Sequence, residues 1–98
     1  MTINKKQDGT TLYVEAIGRI DTVTVTEAEK MIKGSLDGIT ELILDFKELD
    51  YISSAGLRLL LSLQKIMSKQ GKMVVRNENE TIKEIFEVTG FSEILTIE

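Results

Sequence analysis

The sequence predicts one α/β domain spanning residues 1–98, a mixed sheet of four to five strands packed by helices, in the order β-β-α-β-α-β-α-β. Three observations carry this prediction. Two strand-like segments flank an Asp-Gly pair near the start of the chain, which sets up an antiparallel hairpin. Beyond it, short apolar runs alternate with stretches of helical spacing, and strand–helix–strand connections of that kind give right-handed crossovers and parallel strands. With 98 residues, 42% hydrophobic and 29% charged, the chain suffices for one modest core.

Each element has its own justification. Residues 2–7 and 11–17 read as short strands; in TLYVEAI, Leu12, Val14 and Ala16 alternate with Tyr13, Glu15 and Ile17. Asp8-Gly9 between them suits a tight turn. Gly18 breaks the alternation and the period changes. Ala28, Met31, Ile32, Ser35 and Leu36 fall at helical spacing, a first amphipathic helix from about Thr24 to Leu36 that Asp21 or a following threonine can cap. ELILDF, 41–46, has the length and flanks of a strand buried on both faces, within a sheet covered by helices.

The stretch LDYISSAGLRLLLSLQKIM, 49–67, passes from a strand-like run through two serines, an alanine and a glycine into a long helix. Gly56, Leu60, Leu63 and Met67 form one stripe, flanked by Leu57, Leu59, Leu61 and Ile66; the stripe is read as core, not as a membrane contact. Gly71 suits the left-handed position beyond the end of that helix. KMVVRN, 72–77, makes a fourth strand. NETIKEIFEVTG makes a third helix with Ile82, Ile85, Phe86 and Thr89 on one face and Gly90 at its end, and SEILTIE reads as a last strand.

Composition excludes several functions. The net charge of −4, with twelve Lys and Arg scattered along the chain, offers no phosphate-tracking stripe, so no nucleic-acid partner is expected. Cysteine and histidine are absent, which removes disulfides, thiolate nucleophiles, Cys/His metal sites and an imidazole base. The opening MTINKKQDGTTLYV lacks the apolar core of a signal peptide, and no apolar run approaches the roughly 18 residues of a membrane segment. A cytoplasmic protein is expected.

The candidate for chemistry is the serine pair. Ser54 as N-cap of the long helix would be worth about 1 kcal/mol. The same place suits a modification: a phosphate there would meet free N–H groups and the positive end of the helix dipole. Ala55 and Gly56 keep the surroundings small, and about −1.5 to −2 added charges would disrupt a docked partner. A nucleophilic Ser54 would need a base other than histidine; SSAG is not a G-x-S-x-G elbow, and nothing places Ser62 and Lys65 as a pair. Asp21, Asp45 and Asp50 near strand ends could converge on a cation, yet caps and turns explain each separately and no calcium-loop spacing occurs. The glycines form neither G-x-G-x-x-G nor a P-loop. No metal or cofactor is expected, and an interaction module remains, not an enzyme.

Three segments in order, GRIDTVTVTEAEK, LILDFKELDYISSAGLRLLL and GKMVVRNENETIKEIFEVTGF, resemble the STAS domain of bacterial anti-sigma factor antagonists, and the match runs nearly end to end. The resemblance implies the same mixed sheet and a partner switch. Such an antagonist binds, when unphosphorylated, an anti-sigma factor that is also a serine kinase; phosphorylation releases it and a serine phosphatase resets the cycle. Carried onto this chain, the phosphoacceptor is Ser54, two residues before Gly56, with Ser53 as a competing acceptor. Asp21 matches the family's loop aspartate, and Asn4 or its neighbours would lie nearby. Partner contacts are then expected from Asp21, Thr22, Ser53, Ser54, Ala55, Gly56 and Arg58. The antagonist needs no cofactor, since ATP belongs to the kinase. Ser53 departs from the aspartate that many antagonists carry before the acceptor. The alternative that the resemblance implies is a non-phosphorylated STAS interaction module of a signalling or lipid-transport complex.

Overall fold

β1 (Thr2–Asp8) and β2 (Thr11–Ile20) form the expected antiparallel hairpin in the computed structural model, which describes residues 1–98. Gly9 takes φ +62° in the turn, a value the tight connection requires and glycine supplies without strain. α1 (Val25–Lys33) follows, then β3 (Glu41–Asp45), β4 (Leu49–Ile52), α2 (Ser54–Gln70), β5 (Lys72–Arg76), α3 (Glu80–Thr89) and a single-turn α4 (Phe91–Ile94). The five strands form one mixed sheet, ordered β1-β2-β3-β5, with β4 also paired to β2.

β2 is the shared strand, and Gly18 is where it changes partner. Its first half pairs in parallel with β3, from Thr11↔Glu41 to Glu15↔Asp45. Its last residues pair in parallel with β4, through Arg19↔Tyr51 and Ile20↔Ile52, after a register shift at Gly18. Gly18 has φ +99° and its N–H donates to Glu48 O at 3.0 Å. The sequence pattern ends the strand at this glycine; the structure carries it three residues farther, because a glycine in a bulge re-aims a strand without ending it.

Other expectations are also corrected. β4 is a strand that alternation does not reveal: Leu49 and Ile52 are buried while Asp50 and Tyr51 are exposed, so its apolar residues stand three apart. α1 stops at Lys33, although Leu36 beyond it is buried. Gly71 is not left-handed, its φ being 168°; a side chain there would collide with the Thr40 carbonyl, which accepts from Lys72 N–H at 3.0 Å. The expected last strand is instead α4 plus one bridge, Ile97 to Val75. Gly90, at φ +81°, ends α3 and turns the chain straight into α4. Thr89 is exposed, so Ile82 and Phe86, with Ile85 partly buried against the core, anchor the buried face of α3.

The helices cover only one face of the sheet. Ala28 and Ile32 of α1, Leu57, Leu60, Leu63 and Met67 of α2, and Ile82 and Phe86 of α3 join Leu12, Val14, Leu42, Leu44, Met73 and Val75 in one cluster. The crossovers explain this: β2-α1-β3 and β4-α2-β5 step in the same direction across the sheet, so right-handedness places both helices on one side. Ile43 and Val74 are buried but outside the cluster, and strand alternation turns them to the opposite face with their register partner Tyr13. β3 is therefore buried on both faces, as its sequence suggests, with neighbouring strand side chains taking the place of a second helical layer. No helix is long and apolar enough to cross a membrane.

Candidate functional site

Parallel pairing of β2 with β4 brings two chain segments out at one rim. Ile20 and Ile52 are register partners, and Ser53 N–H continues the ladder to Ile20 O at 2.8 Å. The next residues, Asp21 on one side and Ser54 on the other, leave from adjacent strand ends, where sites in parallel sheets lie.

The Asp21 turn is rigidly built. Asp21 Oδ1 accepts from Val23 N–H at 2.9 Å and Thr24 N–H at 3.0 Å. Thr24 Oγ1 accepts in return from Asp21 N–H at 3.0 Å and donates to Arg19 O at 2.9 Å. These bonds close the turn that leads into α1 without capping it. The N-cap, Thr24, makes no side-chain bond to the first turn of the helix, contrary to the expectation that Asp21 or a threonine caps it, and Val25 N–H reaches Asp21 O at 2.9 Å. The Arg19 guanidinium lies 3.8 Å from Asp21 Oδ2 and 4.7 Å from the centre of the Tyr51 ring, fixing three side chains at the rim.

The backbone N–H groups of Thr24 and Val23, with Arg19 adding a smaller effect, hold the Asp21 carboxyl below its ordinary value of 3.8, against an opposing effect of desolvation. A carboxyl depressed in the folded state contributes stability that is present above its unfolded value and lost as pH falls through the folded one. Asp21→Asn should therefore flatten the dependence of stability on pH below about 4, measured by urea unfolding across the acid range.

The two serines divide their work differently from the expectation. Ser53, not Ser54, is the N-cap: it is extended at φ −87° and ψ 176°, and its Oγ accepts from Gly56 N–H at 3.4 Å while its carbonyl accepts from Leu57 N–H at 2.9 Å. The cause is the ladder bond to Ile20, which keeps Ser53 in strand geometry and starts the helix one residue later. Ser54 occupies the first helical position, exposed. Ser53→Ala should thus cost about 0.5 to 2 kcal/mol in thermal or urea unfolding, with Ser54→Ala close to neutral.

Gly56 is needed for packing. A methyl group there would stand 2.5 Å from Ile52 Cγ1 and 2.9 Å from Ile20 Cγ2, so α2 approaches the ends of β2 and β4 as closely as it does only because position 56 has no side chain. Gly56 and Ala55 are buried, so they shape this rim more than they offer contacts. Thr22 and Arg58 are exposed, and Arg58 takes part in none of the four ion pairs of the chain.

Other candidates lie elsewhere. Asn4 pairs with Glu15, five residues before Ile20 (20 − 15), and its Nδ2 donates to Glu15 Oε1 at 3.1 Å on the helix-free face. Asp45 accepts from Lys47 N–H at 2.9 Å and Asn77 Nδ2 at 3.2 Å, a turn-forming role. Asp21, Asp45 and Asp50 form no cluster able to hold a metal ion. Sequence reasoning passed over Arg19, Tyr51 and Val23. Val23, 84% exposed at the tip of the Asp21 turn, is the most exposed large apolar side chain of the chain; the composition of the DTVT segment gives no sign of this, because the turn geometry decides it.

The comparisons with known proteins agree with this fold. The candidate anti-sigma factor antagonist BtrV of Bordetella bronchiseptica is 33% identical over 82 residues, covering 82% of this chain and 71% of the relative. An anti-sigma factor antagonist from Mycobacterium paratuberculosis superposes with a TM-score of 0.88 at 21% identity, over 98% of this chain and 83% of that one. SpoIIAA of Bacillus, in its phosphorylated form, superposes with a TM-score of 0.76 at 18% identity, over 99% and 91% of the two chains. Residues 2–98 match the STAS domain model, so the chain belongs to the STAS domain family.

Proposed function

We propose that the protein is a cytoplasmic anti-sigma factor antagonist that acts by partner switching, with Ser54 as its regulatory phosphorylation site. Unphosphorylated, it binds a kinase-type anti-sigma factor through the rim formed by the Asp21 turn and the start of α2; phosphate on Ser54 releases it, and a serine phosphatase restores it. The observation that carries this reading is the division between the serines. Ser53 spends its hydroxyl on the cap, whereas Ser54 stands exposed beside the Asp21 turn. A kinase can take the Ser54 hydroxyl without dismantling the helix start, and the phosphate then sits near the free N–H groups of the first turn. The relatives named as anti-sigma factor antagonists and the phosphorylated form of SpoIIAA support the same assignment.

The test is incubation with the anti-sigma kinase and ATP, followed by mapping of the phosphate by mass spectrometry. Phosphate on Ser54, with Ser53→Ala still modified at Ser54, is the expected result. Phosphate confined to Ser53, or none with a partner proved to bind, overturns it.

A further inference from the structure

The rim carries a feature that the switch alone does not use. Between α1 and α2 lies a groove of about 220 Å³, lined by Val25, Glu29, Ala55, Arg58 and Leu59. Val25, Ala55 and Leu59 supply its apolar lining and Glu29 and Arg58 its charges. Of its two charges, Glu29 is engaged by Lys33 at 3.1 Å, while Arg58 has no ion-pair partner in the chain. Val23 is exposed on the turn that leads into α1, held by the Asp21 and Thr24 bonds, so docking on it orders little that is not already ordered. Arg58 follows Ser54 by four residues, and side chains four apart on a helix are neighbours.

We propose, resting on the Ser54 reading above, that this groove, with the exposed Val23 on the turn two residues before its Val25, seats an apolar side chain of the anti-sigma factor flanked by a carboxylate, and that Arg58 is the cation for which that carboxylate and the Ser54 phosphate compete. In the unphosphorylated protein Arg58 is free to pair across the interface. Once Ser54 is phosphorylated, Arg58 folds back on the phosphate one turn earlier, the partner's carboxylate loses its counter-charge, and it meets a dianion instead. Charge favours an occupant that brings a carboxylate, because Arg58 is the charge of the groove that no residue of the chain pairs, whereas Glu29 is already paired with Lys33.

The intramolecular half is tested without any partner. Phosphoserine is installed at position 54 during translation, and its second ionisation, ordinarily near about 6, is followed by 31P NMR. The expected result is a lower value with Arg58 than with Arg58→Gln, by about half a unit, with Arg58→Lys restoring part of the shift; equal values overturn the competition. The intermolecular half is measured by calorimetry with the kinase-type anti-sigma factor that the wild-type chain binds. Arg58→Gln and Val23→Asp should each weaken binding by about tenfold or more, and phosphorylation should cost less in the Arg58→Gln background than in wild type. Binding within about twofold of wild type for both variants overturns the groove assignment and leaves Ser54 untouched. Conversely, loss of binding in both variants with no effect of Ser54 phosphorylation overturns the Ser54 reading and leaves the groove. A chain that is dimeric by sedimentation and becomes monomeric with Val23→Asp overturns the choice of occupant.

Discussion

Gly56→Val is expected to be the most destabilising single substitution at the rim, lowering stability by about 3 kcal/mol. Even the first added carbon would lie 2.5 Å from Ile52 Cγ1 and 2.9 Å from Ile20 Cγ2. Both isoleucines are at most 2% exposed, so neither can move toward solvent. Relief must come from shifting α2 away from the ends of β2 and β4, which loosens the packing of Leu57 and Leu60 one turn on. Gly56→Ala separates two opposing effects. Helix propensity favours alanine by about 1 kcal/mol, whereas overpacking costs about 1 to 3 kcal/mol; the contact distances make the second the larger. In a domain of this size each kcal/mol moves the melting temperature by about 4 to 8 °C, so Gly56→Val should be visible in any thermal scan. The mechanism has its own check. In an Ile52→Ala background, which removes the carbon at 2.5 Å, Gly56→Ala should cost less by on the order of 1 kcal/mol. Strict additivity would mean that the steric account is wrong.

Gly56 also illustrates what the sequence makes legible. The S-S-A-G pattern could be read as a helix start without knowing why glycine stands there, because the reason is a contact with residues 36 positions earlier (56 − 20) and four positions earlier (56 − 52). Local signals were read well wherever the physics is local. The Asp8-Gly9 turn, the apolar stripe of α2 and the end of α3 at Gly90 all follow from neighbours in the chain, whereas Gly71, expected left-handed, is extended against the distant Thr40 carbonyl. Errors appear where pairing across the sheet decides. Gly18 looks like a terminator and is a bulge, since β4 is waiting to pair with the residues beyond it. The strand-like run through Ile52 gives no sign of where its pairing ends, and the bond from Ser53 N–H to Ile20 O carries the ladder one residue on, which moves the cap from Ser54 to Ser53. The serine pair, the Asp21 turn and Arg58 were legible as candidates from the sequence. Their division of labour was not, because it depends on a one-residue difference in where a ladder ends and a helix begins.

Ser54→Asp is expected to weaken binding to the kinase-type anti-sigma factor by about 10- to 100-fold, while Ser54→Ala keeps affinity within a few-fold and abolishes phosphorylation. The argument turns on position. Ser54 is the first residue of α2, exposed, and flanked by a turn whose carboxylate, Asp21, already faces this rim. A second negative charge there leaves the fold content: an acidic side chain in the first turn of a helix is favourable by about 0.3 to 1 kcal/mol, and no hydrogen bond of the cap is lost because Ser53 makes it. The aspartate variant should therefore melt at or slightly above the wild-type temperature. Unchanged stability with lost affinity assigns the effect to the interface, where an added like charge or an unpaired, desolvated one costs several kcal/mol. Ser53→Ala gives the opposite signature, with stability reduced and affinity retained. If Ser54→Asp binds as tightly as wild type in a calorimetric titration at about 0.1 M salt, where screening extends only about 10 Å, then charge at this position does not govern docking. The exposed serine would then be no more than the second member of a helix start.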